Sequence, residues 1–229
     1  MKITNKVLLS AALIAAGGLA AGPAALATMT GCTTSPAICL AVGSTANVVA
    51  ESSTGIASMS GTYGVFNYSI TGTGYGFIYP PQILDSQTID AMASSTGSLT
   101  VYVTATGLTS PMTAGLLSAL TSNLLTPGWT VSGQTYFDQS NVAFGMGTEL
   151  FTGSLTGLGH DSGVTPIAAT GPYSLTEVYT ITAVHRGSTN DTLDISTVPE
   201  PGTLALFGAG LLGCALLVSR RRRTSQPRV

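Results

Sequence analysis

The feature that most constrains the fold is a strict alternation of apolar and hydroxyl-bearing side chains in the middle of the chain. In residues 98–106, Leu99, Val101 and Val103 alternate with Ser, Thr and Tyr. A period of two places the apolar side chains on one face of a strand and the polar ones on the other. Residues 129–137 repeat the pattern, so both segments are predicted to be half-buried strands.

Three further segments, residues 63–70, 149–155 and 174–185, have the same strand character, and stretches rich in Gly and Pro separate them. Short strands divided by turn-forming residues are typical of all-β domains in which two sheets pack face to face. The sequence therefore predicts an all-β fold, an antiparallel β-sandwich that is jelly-roll-like.

Residues 111–125 are the exception to this pattern. Leu116, Leu120 and Leu124 recur at four-residue spacing, and Ser110 and Pro111 precede them. Proline is favoured in the first turn of a helix, and apolar residues four apart share one helix face. This spacing predicts a short crossover helix.

The net charge of −2 hides an uneven distribution of charge. Residues 28–197 contain nine acidic side chains and one basic side chain, Arg186, which gives this segment a net charge of −8. A domain with a single basic residue has no patch that could bind a phosphate backbone, so nucleic-acid binding is excluded.

Residues 1–27 have the organisation of a signal peptide. Lys2 and Lys6 supply the positive charge, and an apolar, Ala-rich stretch follows. Ala25 and Ala27 then give the small-x-small pattern that signal peptidase accepts. Cleavage is expected after Ala27, and a retained N-terminal anchor is the alternative.

The chain has three cysteines, and two of them lie close together near the expected mature N-terminus. In an exported protein Cys32 and Cys39 are expected to form a disulfide. Two cysteines are too few ligands for a metal site, so no metal or other cofactor is predicted. A lipid-modified Cys32 is the alternative, and Cys214 is interpreted as a small apolar residue.

Residues 198–229 combine three features in a fixed order. Residues 198–202 form an extended motif with two prolines, which cannot continue a strand or helix. The motif residues are Val198, Pro199, Glu200 and Pro201. Residues 203–219 are uncharged and long enough for a single transmembrane helix. The stop signal is a run of four arginines, Arg220, Arg221, Arg222 and Arg223.

By the positive-inside rule, the arginine-rich end, residues 220–229, lies in the cytoplasm and the domain before the span lies outside. A Pro-Glu-Pro motif, a short span and a terminal arginine cluster in this order resemble the PEP-CTERM sorting tail. The resemblance covers residues 198–229, and the Ser/Thr/Gly-rich segment before it also looks like domains that precede such tails. An ordinary single-pass anchor is the alternative.

The resemblance implies a Gram-negative bacterium that makes exopolysaccharide. It also implies processing by an exosortase, with Pro199, Glu200 and Pro201 as the recognition motif. On this expectation the protein is held in the inner membrane with its domain in the periplasm. After processing it would be displayed at the cell surface or secreted.

Catalytic candidates are few. His160 lies beside Asp161 and Ser162, but adjacent residues on a loop do not form a catalytic triad, and a polar turn is expected there. Glu177 shares a strand face with apolar side chains, which predicts a buried carboxyl with a raised pKa or a hydrogen-bonded partner. A structural carboxylate, or one at a strand end, is the alternative to a catalytic acid. A glycosidase would need a second carboxylate in a cleft about 5–10 Å away.

Two kinds of ligand site remain open in the sequence. Oxygen ligands for calcium could come from two groups in the sequence. The first is formed by Asn190, Asp191, Thr192 and Asp194, and a weaker one by Asp138 and Asn141. Turn formation is the alternative for both groups. A sugar-stacking strip could come from a run of aromatic residues, Tyr63, Phe66, Tyr68, Tyr75, Phe77 and Tyr79.

The sequence thus favours a non-enzymatic, exported protein of the cell surface or matrix, sorted through its tail and associated with biofilm or exopolysaccharide. A module that binds the exopolysaccharide itself is the first alternative, and a secreted hydrolase is the second. A single Thr-x-Thr at Thr104 and Thr106 is too little for an ice-binding array.

Overall fold

The computed structural model describes Cys32 and residues 35–74, 82–198 and 207–212. The signal-peptide cleavage site, the Pro-Glu-Pro motif and the arginine cluster lie outside the described residues.

Twelve strands make up the described part of the domain. They are β1 (Ala37–Val42), β2 (Val48–Ser52), β3 (Ile56–Tyr63), β4 (Phe66–Gly74), β5 (Gln82–Ala93), β6 (Gly97–Leu108), β7 (Thr113–Leu125), β8 (Thr130–Asp138), β9 (Thr148–Leu155), β10 (Gly159–Ala168), β11 (Tyr173–Ala183) and β12 (Gly187–Val198).

The strands form two six-stranded antiparallel sheets. Sheet A has the order β2-β1-β6-β11-β8-β9 and sheet B the order β10-β7-β12-β5-β4-β3. The prediction of an all-β, antiparallel sandwich is confirmed. From β5 onward the chain alternates between sheet B and sheet A. As a result, strands β5-β12-β7-β10 of sheet B face strands β6-β11-β8-β9 of sheet A. This is the strand order of a double Greek key.

The core lies between the sheets and follows the predicted alternation. Leu99, Val101 and Val103 on β6 are buried, as are Trp129 and Val131 at the start of β8. Trp129 is fully buried, and its indole donates a hydrogen bond to the His185 carbonyl at 3.1 Å. The alternating segments therefore became the central strands of sheet A.

The predicted crossover helix is wrong, because residues 113–125 form strand β7. Leu116, Ser118, Leu120 and Ser122 point into the sandwich and are buried, with intervening residues facing outward. A spacing of four is an even number, so it satisfies the period of two of a strand as well as a helix turn. The buried serines, which the helix interpretation ignored, carry the strand signal.

Residues 63–70 were predicted as one strand, but they contain a hairpin turn. Tyr63 ends β3, Gly64 and Val65 form the turn, and Phe66 begins β4. Gly64 has a φ of 56°, a left-handed conformation that glycine adopts without a steric penalty.

The two ends of the sandwich are distinct. The end that we call the tail end carries the start of β1, the β6–β7 connection, the β8–β9 loop (residues 139–147) and the end of β12, since Ala37 pairs with Thr106 and Val198 with Gly115. The far end carries the turns at residues 94–96 and 184–186.

Residues 207–212 are helical and largely exposed. Within the described parts of the chain, none of the helices has the length and apolarity of a membrane span. Most of the predicted span, residues 203–219, lies outside those parts.

Candidate functional site

Glu177 lies in the centre of sheet A, and its side chain points between the two sheets. It is 1% exposed, and its Oε2 atom accepts a hydrogen bond from the Ser86 hydroxyl on β5 of the opposite sheet. Its Oε1 atom has no hydrogen-bond partner among the described residues. The sequence prediction that Glu177 shares the core face is consistent with this position.

A pair of aspartates lies near Glu177 on sheet B. Asp85 and Asp194 are directly opposite each other in the register of β5 and β12. Burial raises the pKa of Glu177 well above its usual value, and Asp85 and Asp194 raise it further, whereas the Ser86 hydroxyl lowers it. Burial and the neighbouring Asp85 raise the pKa of Asp194 to about 6.

This arrangement has carboxyl groups, but among the described residues Glu177 is only 1% exposed and does not present its carboxyl at the surface. A glycosidase acid must contact the glycosidic oxygen of a sugar in an open cleft. Glu177 instead makes its polar contact with Ser86 inside the sandwich. We therefore assign Glu177 a structural role, as one member of a polar layer between the sheets.

The polar layer continues on both sides of Glu177. The hydroxyls of Ser118 and Thr135 lie 2.7 Å apart across the sheets, and both residues are fully buried. Asp191 is also fully buried and accepts a hydrogen bond from Thr189. Burial is the main cause of the raised pKa of Asp191.

The calcium candidates are not brought together. Strand alternation points Asp191 into the core, while Asn190 faces outward and donates to Asp90 Oδ1 at 2.6 Å. In the other group, Asp138 Oδ1 accepts from the Ser140 amide at 2.7 Å, a local turn contact. Asn141 Oδ1 accepts from the Gly107 amide at 2.6 Å.

The two histidines lie apart from any nucleophile–base pair. His160 is exposed in the first residues of β10, where it pairs in register with Thr121. His185 is exposed in a turn at the far end, and its Nδ1 lies 2.9 Å from the Arg186 carbonyl. The polar turn expected at His160 is wrong, because His160, Asp161 and Ser162 are consecutive in strand β10 and their side chains alternate between its two sides.

A disulfide joins Cys32 to Cys39 of β1, with the two Cα atoms 6.0 Å apart. Cys39 packs on the outer side of sheet A in a small cluster with Ala41 and Val48. A Glu51 oxygen lies within 4.8 Å of both sulfurs. A bonded pair of sulfurs cannot act as thiolate ligands, so this group could bind a metal only after reduction.

The outer face of sheet A carries a continuous uncharged surface, which we call the hydroxyl platform. It spans β6, β11, β8 and β9, and its members are half-buried or exposed residues that bear a hydroxyl or an amide. The platform residues are Ser98, Thr100, Thr130, Ser132, Gln134, Thr152, Ser154, Thr180 and Thr182. The sequence predicted that β6 and β8 each have a solvent-exposed polar face. It did not predict that these faces would combine with those of β11 and β9 into one surface.

The β8–β9 loop borders the platform at the tail end. It folds back over sheet A, where the Phe144 amide donates to Thr104 Oγ1 at 3.2 Å and the Ser174 hydroxyl donates to the Val142 carbonyl at 2.7 Å. The Phe144 ring also packs edge-on against Tyr102, with centroids 6.4 Å apart. Asn141 and Phe144 have left-handed φ angles of 56° and 58°.

The predicted aromatic strip does not form one surface. Phe66 and Tyr68 are buried in the core, with exposures of 1% and 4%, whereas Tyr63 is on the surface. Tyr75, Phe77 and Tyr79 lie outside the described residues. Strand alternation and the hairpin turn separate side chains that are close in sequence.

No curated protein matches this chain. Among solved structures, TmCBM61 in complex with beta-1,4-galactotriose is similar over 70% of this chain and 88% of that one, with 6% sequence identity and a TM-score of 0.32. A structure of infectious bursal disease virus, Gx strain, is similar over 72% and 51%, with 11% identity and a TM-score of 0.25. At these TM-scores neither likeness carries an argument about function.

The strongest functional signal follows the last strand. β12 ends at Val198, and residues 197–223 match the family model of the PEP-CTERM protein-sorting motif. The matched range includes Pro199, Glu200 and Pro201 as well as the four arginines of the predicted stop. The chain therefore carries a PEP-CTERM protein-sorting motif, the signal of a protein that is exported and sorted through an exosortase.

Proposed function

We propose that this chain is a non-enzymatic protein of the cell surface or extracellular matrix, delivered there after an exosortase processes its tail. The observation that carries the proposal is the sorting motif at residues 197–223, which begins where the folded domain ends. Association with biofilm or exopolysaccharide is part of the proposal and rests on the kind of protein that has this motif.

The geometry of the domain supports a tail that is accessible to a membrane enzyme. Val198 is the last residue of β12 and pairs with Gly115 of β7. The two prolines at Pro199 and Pro201 cannot extend the ladder, because proline has no amide hydrogen to donate. The ladder of β12 therefore has to end before Pro199, and a segment outside a sheet is a suitable substrate for a processing enzyme.

The non-enzymatic part of the proposal is supported by where the candidate groups lie. Glu177 is enclosed between the sheets, and His160 and His185 are exposed at separate places in the sandwich. A binding role, with exopolysaccharide as the ligand, is the second candidate, and it is favoured by the uncharged hydroxyl platform.

The test is replacement of Pro199, Glu200 and Pro201 by Ala in a host with an active exosortase. We expect wild-type protein to lose the end of its tail, whereas the variant remains intact in the inner membrane with unchanged thermal unfolding. Mass spectrometry of the mature C-terminus measures the difference. The proposal fails if wild-type and variant proteins keep the same intact C-terminus.

A matched control replaces Thr156, Gly157 and Leu158 by Ala. This triplet lies in the exposed β9–β10 turn, far from the tail. It changes three consecutive residues without touching the motif, and its processing should equal that of wild type.

A further inference from the structure

We infer that the hydroxyl platform on sheet A is a binding face for a neutral polysaccharide. The inference rests on the proposed function in one respect: the protein must reach the extracellular matrix, where the polysaccharide is found.

The first step concerns charge. None of the nine platform residues is ionisable, although residues 28–197 carry a net charge of −8. The outer face of sheet A has its ionisable residues outside the platform, with Glu51 on β2 and with Asp138 and Glu149 toward the tail end. On sheet B, Asp90 and Asp194 lie on the two central strands. An acidic domain repels polyanions, and it approaches an uncharged ligand most easily through a patch without ionised groups.

The second step concerns hydrogen bonding. Neighbouring strands lie about 4.8 Å apart, and residues on one face of a strand repeat about every 6.8 Å. The platform therefore presents a two-dimensional array of groups that donate and accept hydrogen bonds. Thr100 and Thr180 are paired on adjacent strands of this array, and their hydroxyl oxygens lie within hydrogen-bond distance, 3.3 Å apart. A ligand with many hydroxyls is the natural complement of such an array.

The third step concerns the border of the platform. Tyr136 follows Gln134 on the same face of β8 and is half-buried beside Glu149 of β9. Its ring supplies an apolar surface on which the C–H face of a sugar ring can pack. The β8–β9 loop forms a step beside it, held by three hydrogen bonds in a conformation with two left-handed residues. Non-glycine residues seldom adopt this conformation unless their surroundings hold them in it, so these contacts maintain the loop shape.

The experiment uses the full chain in detergent micelles and the extracellular polysaccharide of the producing bacterium, separated by anion exchange into neutral and acidic fractions. We expect the wild-type protein to bind the neutral fraction and not the acidic one in affinity electrophoresis. The double variant T100V/T180V removes two platform hydroxyls while keeping β-branched side chains, and should bind at least tenfold more weakly.

The matched control is T62V/T71V, which makes the same change at two outward positions of sheet B. It should bind within twofold of wild type. The inference is overturned if wild-type protein does not bind the neutral fraction, if it binds the acidic fraction equally, or if T100V/T180V binds as well as the control. Tail processing is measured separately, so a failure of sorting and a failure of binding are distinguishable.

Discussion

Glu177 shows how a single residue makes this sandwich sensitive to pH. Its carboxyl is enclosed between the sheets, with Asp85 and Asp194 close enough to oppose its ionisation. The only basic residue in residues 28–197 is Arg186, which is exposed in a turn at the far end. The neutral, protonated form of Glu177 is therefore the form that the folded state favours.

The sign of the pH dependence follows from that preference. Because the pKa of Glu177 is raised on folding, the folded state holds more protons than the unfolded state above the unfolded pKa of about 4.5. The contribution of Glu177 to the free energy of unfolding is thus fully present below that pH and is lost as the pH rises through its pKa in the folded state. The carboxyls of Asp191 and Asp194, whose pKa values are also raised, act in the same direction.

We predict that the free energy of unfolding falls between pH 4.5 and 7, by up to about 1.4 kcal/mol per pH unit for each such carboxyl. Glu177→Gln removes the titration while keeping a hydrogen-bond acceptor for Ser86, so it should flatten the dependence and stabilise the protein at pH 7. Urea unfolding at several pH values measures this. The exposed Glu149→Gln is the control, and an equal effect of both variants would contradict the assignment.

The interior position of Glu177 could be predicted from the sequence, but its partner could not. Alternation in residues 174–185 puts Glu177 on the same face as Leu175, Tyr179 and Ile181. Ser86 reaches it because the register of β5 shifts against β12, where Ile89 pairs with Asp191 but Ser86 pairs with Leu193. A bulge of this kind has no period that can be detected in a sequence.

At the scale of the element, β7 explains why one prediction of secondary structure is wrong. A strand and a helix both place Leu116 and Leu120 on one side, but they differ further along the chain. In the structure the register of β7 shifts near its end, so that Leu120 is fully buried and Leu124 is 48% exposed. In a helix, Leu120 and Leu124 would lie on the same face and be buried to a similar extent.

Alanine substitutions separate these two interpretations. We predict that Leu120→Ala costs about 2–5 kcal/mol of unfolding free energy, because it leaves a cavity between the sheets. Leu124→Ala should cost less than about 0.5 kcal/mol, as is usual for a surface position. Denaturant unfolding of both variants measures the difference. Costs of similar size would support the helix and would be inconsistent with β7.

The strands that could be predicted are those with one wet and one dry face. β8 and the first half of β6 satisfy this condition, and the sequence located both strands. It also located β9 and β11, although the first seven residues of β11 are all buried. β1 is buried on both faces and therefore shows no alternation. β10 is largely exposed along its length and has too few apolar residues to give a signal.

At the scale of the whole molecule, the position of Val198 fixes how the sandwich faces the membrane while the sorting signal holds it there. Four residues, 199–202, separate the end of β12 from the uncharged stretch. Even fully extended, four residues span no more than about 14 Å. With residues 203–219 in the bilayer, as the sequence predicts, the tail end and its β8–β9 loop would lie near the membrane.

On the same prediction, the far end would be the part of the domain that projects away from the membrane. The nine residues of β8 span about 30 Å, which approximates the height of the sandwich between its two ends. The hydroxyl platform occupies the far-end part of this height on one side, beyond the β8–β9 loop, so a polymer could approach it from the side without displacing the membrane-facing loops.

We therefore predict a large difference in distance to the bilayer between the two ends of the intact chain. A donor dye attached through Ser140→Cys, in the β8–β9 loop, should transfer energy to an acceptor lipid much more efficiently than one attached through Ser95→Cys, in the far-end turn. Both serines are exposed, so the two variants are matched, and a Cys214→Ala background removes the native thiol outside the disulfide.

The measurement uses the full chain reconstituted in vesicles, before any processing. Co-flotation with the vesicles first establishes that the chain is membrane-bound. A sandwich attached through a four-residue connection cannot turn its far end toward the bilayer, because the connection would then have to span about 30 Å along the domain. Equal transfer from Ser140→Cys and Ser95→Cys in chains that float would show that the domain lies flat on the bilayer. If the domain lay on its sheet A side, the membrane would then compete with the polysaccharide for the platform.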